Sequence, residues 1–201
     1  MKSSYIDRET LLRLKEATER APRTRNAWLP FAVALETGLR IGDIVALPAE
    51  ALRGNKLKYT AAKTGKEGEA ELTSELSQQL KRGRNGKWLF PSPYKHGETH
   101  LSRQAAWKRI KAAAKRGEVA PEGMSPHSMR KTFAVELYAR KGLAEVQRAL
   151  QHTRVDVTEI YALADFLSAE KASIPLTRGD VPKILHLALD AVRAALSEKK
   201  A

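Results

Sequence analysis

The chain has 201 residues and no cysteine. That excludes disulfides, thiolate metal sites and a thiol nucleophile. No apolar run approaches the roughly 18 residues needed to span a bilayer. The start, Met1-Lys-Ser-Ser-Tyr-Ile-Asp7, lacks the apolar core of an export signal, so a cytoplasmic, non-membrane protein is expected. No Gly-rich loop ends in Gly-Lys-Ser/Thr, so ATP use is not indicated, and no His-Glu-x-x-His occurs. His96 and His100 stand four apart, but Gly97 and nearby prolines disfavour a helical ligand pair, and no third ligand is evident. No metal and no cofactor are expected. Internal repeats and low-complexity segments are also missing.

Acid is scarce relative to base. Thirty-six Lys and Arg face 23 Asp and Glu, a formal charge of +13 with a pI near 10.0. Such an excess attracts polyanions at long range and predicts salt-dependent binding to nucleic acid. Charge alone leaves a solubilising surface or an RNA partner open.

The pattern along the chain is mainly α with a small antiparallel β-hairpin. Asp7 is a helix N-cap, followed by Leu11, Leu12 and Leu14 as the start of an apolar stripe. A second helix runs from about Asn26 to Thr37, tolerating Pro30 only in its first turn and closing at Gly38. Ile41 to Leu47 forms a short third helix. Lys56–Ala61 and Gly68–Leu72 alternate with a period of two around the turn Lys63-Thr-Gly65-Lys66-Glu-Gly68, predicting a hairpin. Thr73 or Ser74 caps a helix to Leu80. Ser102 caps another that carries Arg103, Lys108, Arg109, Lys111, Lys115 and Arg116 without one acid. Lys108, Lys111 and Lys115 share one face of it and Trp107, Ile110 and Ala114 another, so its cations are candidates for phosphate contact. Pro126 starts a helix that ends at Gly142, and short helices follow at 143–150 and 156–162.

Chemistry-bearing residues concentrate late in the chain. Pro126-His127-Ser-Met-Arg130-Lys-Thr-Phe-Ala places an imidazole and a guanidinium three apart, one helical turn. A guanidinium offers a planar fork suited to two phosphate oxygens. Leu150-Gln-His152 follows, and Tyr161 comes nine residues after it. Upstream lie Thr37-Gly-Leu-Arg40-Ile-Gly-Asp43 and Ala62-Lys63-Thr-Gly65. Each alone has an ordinary reading, as an exposed histidine, a capping arginine or a solvated turn lysine. Together, in this order, they resemble the tyrosine recombinases, the phage integrase family, over roughly residues 5 to 165.

That resemblance implies the recombinase catalytic-domain fold over residues 1–172, with 173–201 as a tail helix. In the tail Leu185, Leu189, Val192 and Leu196 recur at helical spacing behind Asp180, and the helix docks either on its own domain or on a neighbouring protomer. Catalytic roles would fall to Arg40, Lys63, His127, Arg130, His152 and Tyr161, with Lys66 competing for the part of Lys63. DNA contacts would come from Lys66, Arg103, Lys108, Lys111 and Lys115. Tyr161 would attack a phosphodiester of duplex DNA and form a 3′-phosphotyrosine. Two positions depart from the usual pattern: Asp43 where glutamate is common and Gln151 where glycine is common. The motifs begin near residue 35, leaving no room for the family's N-terminal DNA-clamping domain, so a weaker half-clamp, a helper protein, a natural short form or a truncated chain is expected. The assembly implied is a homotetramer on DNA, weak or monomeric without it. A non-catalytic DNA-binding regulator, a type IB topoisomerase and a telomere resolvase remain as alternatives.

Overall fold

The structure, a computed structural model, describes residues 5–20, 26–83, 86–94, 98–119, 124–141 and 143–150. His96, Gln151, His152, Tyr161, the expected helix 156–162, the 172–173 boundary and the tail lie outside the described residues.

Local sequence signals place most elements. Helix α1 (Arg8–Glu19) starts where Asp7 accepts the Thr10 N–H at 2.9 Å and the Thr10 hydroxyl at 2.6 Å, satisfying a donor the helix cannot. These bonds hold the Asp7 carboxyl below its ordinary pKa. Leu11 and Leu14 are buried three apart, whereas Leu12, part of the stripe expected from sequence, is 53% exposed. One step along a helix turns about 100°, which carries Leu12 off that face.

Helix α2 (Leu29–Thr37) is the centre of the fold. Its Leu29, Pro30, Phe31, Val33, Ala34 and Thr37 are all buried, and a helix that is apolar on most of its circumference, with Glu36 as its one charged residue, must be largely enclosed. It packs on α3 (Ile41–Val45), α4 (Ser74–Gly83), α6 (Ser128–Lys141) and β3 (Glu67–Glu71). Pro30 lies in the first turn, as required. Gly38 closes the helix at φ 68° and ψ 8°, its N–H donating to Ala34 O.

The β region is larger than a hairpin. A 3₁₀ turn at Ala49–Ala51 leads into β1 (Leu52–Arg53), which pairs antiparallel with β2 (Lys56–Thr60), and β2 pairs with β3 in the order β1-β2-β3. Gly68, expected to end the turn and to begin the second strand, faces Tyr59 within the ladder, and β3 starts one residue earlier at Glu67. Only residues 61–66 form the connection. Gly65 takes φ 67° there, and the Ala61 N–H donates to Lys66 O at 2.8 Å. Leu57 is fully buried on the inner face, while Lys56 and Glu69 pair outside at 3.0 Å.

Helix α5 (Arg103–Arg116) begins with the Ser102 hydroxyl accepting the Ala105 N–H at 3.1 Å. It lies on α1 and α3 through Ala106, Ile110, Ala113 and Ala114, leaving Lys108, Lys111 and Lys115 exposed. Ile6, Leu14, Phe31, Ile44, Leu57, Leu80, Ile110 and Met129 lie in one core, each worth on the order of 1.5–3 kcal/mol by burial. Helix α7 (Leu143–Leu150) packs on α6 around Ala134, Val146 and Leu150. The observed architecture is therefore mainly α with a small antiparallel sheet. Among the described residues no helix is long and apolar enough to cross a membrane.

Candidate active site

Four of the six residues expected to act on a phosphate fall within the described part of the chain, on three different elements. Arg40 occupies the N-cap position of α3 in extended conformation, φ −73° and ψ 139°. Its carbonyl accepts the Asp43 and Ile44 N–H groups at 2.9 and 3.0 Å. The turn before it is ordered by Thr37, whose hydroxyl donates to Val33 O at 2.7 Å and accepts the Leu39 N–H at 3.2 Å. The sequence therefore builds a rigid corner between α2 and α3 from which a half-buried Arg40 side chain emerges.

His127 lies one residue before α6, not within it. The Ser125 hydroxyl accepts the His127 N–H at 3.2 Å, and the Ser128 hydroxyl accepts the Ser125 N–H at 2.9 Å. This is a reciprocal cap, and Pro126, whose φ is preset, sits in its first position. Ser125 carries a role that the sequence reading overlooked, although Ser followed three positions later by another hydroxyl was a signal for it. The His127 carbonyl then accepts the Lys131 N–H at 3.0 Å, continuing into the helix.

Arg130 is one turn on and only 7% exposed. Its guanidinium donates to Gly38 O and, at 3.2 Å, to Leu150 O. The first acceptor is two residues from Arg40; the second ends α7, two residues before His152. Three sequence motifs are thus tied at one side chain. Nothing in the sequence marked these carbonyls, since every residue has one.

The electrostatics agree with this gathering. The His127 imidazole is held below its ordinary pKa, first by burial and then by Arg130, Arg103, Arg40 and Lys131. Burial and neighbouring cations both disfavour a second positive charge. Arg103, expected only as a DNA contact, is exposed at the start of α5 and close enough to act on His127.

Lys63 and Lys66 are both exposed in the β2–β3 connection. That connection is tied to the Arg40 corner: Asp43 Oδ1 accepts the Ala62 N–H at 3.3 Å. Asp43 Oδ2 is buried and has no hydrogen-bond partner among the described residues. Of the remaining histidines, His100 stacks edge-on against Trp88 with ring centroids 5.1 Å apart, and its Nδ1 lies 2.8 Å from Leu101 O. It belongs to a local structural contact. His152 and Tyr161 fall outside the described residues.

Residues 4–167 match the phage integrase family, and the chain belongs to that family. Two relatives are tyrosine recombinases named XerD. The one from Bradyrhizobium diazoefficiens is 31% identical over 183 residues, covering 79% of this chain and 57% of the relative. The one from Rhizobium meliloti is 32% identical over 135 residues, covering 62% of this chain and 43% of the relative. The chain thus spans about half the length of the curated relatives it matches. Among solved structures, the catalytic domain of bacteriophage HP1 integrase matches with a TM-score of 0.59 and 21% identity, over 87% of this chain and 99% of that one. A lambda integrase fragment, bound as a dimer to a core site, matches with a TM-score of 0.66 and 18% identity, over 81% of this chain and 60% of that one. These similarities show the recombinase catalytic-domain fold.

Proposed function

We propose that this chain is the catalytic part of a site-specific DNA recombinase that cleaves and rejoins duplex DNA through a 3′-phosphotyrosine. The observation that carries the reading is the bond from Arg130 to the Gly38 carbonyl. It brings the His127-x-x-Arg130 pair to the Arg40 corner, and the cations around His127 give that corner the field an oxyanion requires.

In the proposed reaction the Tyr161 phenol oxygen attacks phosphorus and the bond to O5′ breaks. Arg40, Arg130 and His152 hold the non-bridging oxygens as charge builds on the five-coordinate phosphorus. The phenol has an ordinary pKa near 10 and needs an acceptor for its proton. His127 supplies one, because its lowered pKa keeps the ring neutral at pH 7. Lys63 donates a proton to the departing O5′. The phosphoester energy is kept in the tyrosyl link, so a 5′ hydroxyl from a second duplex can reverse the step. Lys66, Arg103 and the row Lys108, Lys111 and Lys115 hold flanking phosphates. Four protomers acting on two sites complete the proposal, which places the protein with DNA in a bacterial or phage-infected cytoplasm.

The test uses a pool of nicked duplexes with random flanking sequence, incubated with protein and resolved under denaturing conditions. A DNA-linked protein band is expected, and sequencing its DNA yields the preferred site. Persistence of the band in Tyr161→Phe removes Tyr161 from the role. If supercoiled plasmid lacking the recovered site is relaxed as well as plasmid bearing it, the activity is a topoisomerase and recombination is refuted.

A further inference from the structure

Two carboxylates flank Arg40, and each reaches across to the β-sheet. Glu36, four residues before it, accepts the Thr73 N–H on Oε2 and the Thr73 hydroxyl on Oε1, both at 2.8 Å. Thr73 follows β3 and also caps α4, its Oγ1 accepting the Leu76 N–H at 3.3 Å. Asp43, three residues after Arg40, accepts the Ala62 N–H. The segment between these two grips is the turn bearing Lys63, followed by β3. It is an outer strand of the sheet, paired among the described residues with β2 alone, so that ladder sets its position from one side.

The two grips differ in a way that bears on their purpose. Glu36 uses both oxygens on one residue, a geometry that fixes direction as well as distance. Asp43 uses one oxygen and leaves the other buried without a partner among the described residues. A buried unsatisfied oxygen weakens a fold, and its presence in a site calls for a reason beyond stability. Both carboxylates bind backbone, so they act on where the turn sits and not on what Lys63 is.

We propose that Glu36 and Asp43 are positioning residues that register the Lys63 turn against the Arg40 corner, so that proton donor and phosphate ligand move as one unit. This rests on the recombinase reading above, and it adds Glu36, a residue to which the resemblance gives no role.

The experiment compares cleavage of two versions of the duplex recovered from the random pool, one ordinary and one with sulfur replacing the bridging O5′. A thiol is acidic enough, near 8.5, to leave as thiolate, so the sulfur substrate needs no proton from Lys63. Lys63→Ala is expected to lose about 10²–10⁴-fold on ordinary DNA, the worth of a general acid, and to recover on the sulfur substrate. Glu36→Ala and Asp43→Ala are expected to lose roughly 10²-fold on ordinary DNA, as misplacement does, and also to recover. Combining either with Lys63→Ala should add no further loss, while Asp43→Asn, which keeps the accepting oxygen, should retain most activity. Amide hydrogen exchange at Ala62 and Thr73 should quicken while α2 stays protected. Should α2 also lose protection, Thr73→Val, which removes the hydroxyl donor to Glu36 together with the α4 cap, takes the place of Glu36→Ala, with Thr73→Ser, which keeps both bonds, as its control.

Equal losses on both substrates, or no loss on either, overturn the positioning role. A Lys63→Ala variant that stays slow on the sulfur substrate overturns instead the assignment of Lys63 as acid, and with it the reason for the tether.

Discussion

Replacing Gly38 by alanine tests whether the corner that joins α2, α6 and α7 is as tightly specified as its geometry implies. The backbone there is left-handed at φ 68°, which costs a residue with a Cβ about 1–2 kcal/mol. A Cβ at that position would stand 2.4 Å from Phe133 Cδ1, 2.6 Å from Cε1 and 2.8 Å from Leu150 Cδ2. All are shorter than any relaxed carbon contact, and overpacking of this kind costs about 1–3 kcal/mol. Alanine recovers roughly 0.4–1 kcal/mol by restricting the unfolded chain. The net loss is therefore about 2–4 kcal/mol, against a typical total of about 5–15 kcal/mol.

At roughly 2–4 °C per kcal/mol for a domain of this size, thermal unfolding followed by circular dichroism should shift down by about 5–15 °C. Phe133→Leu withdraws the ring edge, so the Gly38→Ala cost should shrink by at least about 1 kcal/mol in that background. Gly38→Asn separates the two causes, since Asn tolerates the left-handed region but carries the same Cβ. It should remain destabilised. Because Arg130 donates to the Gly38 carbonyl, the covalent DNA band should weaken more than the stability loss alone explains. A Gly38→Ala protein within about 0.5 kcal/mol of wild type, the range of an ordinary surface change, would refute the reasoning, as would a cost indifferent to Phe133.

The His127 ring should titrate by NMR below its ordinary pKa of 6.5, and Arg103→Ala should move the midpoint up, since Arg103 is among the cations that lower it. The unfolded chain takes up that proton first as pH falls below about 6.5, so this group's contribution to stability is complete above that pH and declines beneath it; removal of His127 should flatten that slope. Inorganic phosphate should raise both the melting temperature and the His127 pKa by supplying the missing negative charge, and a rise that is undiminished in Arg40→Ala would show binding elsewhere. Neutralising Lys108, Lys111 and Lys115 to glutamine should weaken duplex binding and flatten the slope of log K against log salt by up to about 0.9 per lysine. An unchanged slope would return that row to an ordinary solvated face.

What the sequence made legible is what neighbours in sequence decide. Asp7 and Ser102 cap their helices because a short acceptor side chain reaches an N–H three residues on. Pro30 and Gly38 punctuate α2 through their own backbone limits, and α7 runs over the residues its periodicity marks. Strand β1 escaped because two residues cannot display a period, and it exists only through pairing with β2. Gly68 stood at the border of turn and strand because glycine does not mark which of the two it serves, and pairing with Tyr59 places it in the strand. In the site, the side chains were legible as motifs, yet the acceptors that orient them were not. Glu36 on an otherwise apolar helix carries no signature until Thr73 arrives from 37 residues away.

The manner in which Arg130 is held connects fold and chemistry. Two backbone acceptors of Arg130 among the described residues end helices, Gly38 after α2 and Leu150 at the end of α7. Helix ends of this kind carry unsatisfied carbonyls and partial negative charge, so a guanidinium between them completes both and fixes their approach. Carbonyls orient a cation without cancelling its charge. Among the charged groups that depress the His127 pKa, Arg130 has the largest effect, so its field persists in the site after those bonds are made. The carboxylates of Glu36 and Asp43 act instead at Thr73 and Ala62, on either side of the segment formed by the Lys63 turn and β3. Among the described residues, Arg130 is thus oriented by helix-end dipoles and the Lys63 turn by carboxylates, while Arg130, Arg103, Arg40 and Lys131 keep the surroundings of His127 positive for the anion proposed to bind there.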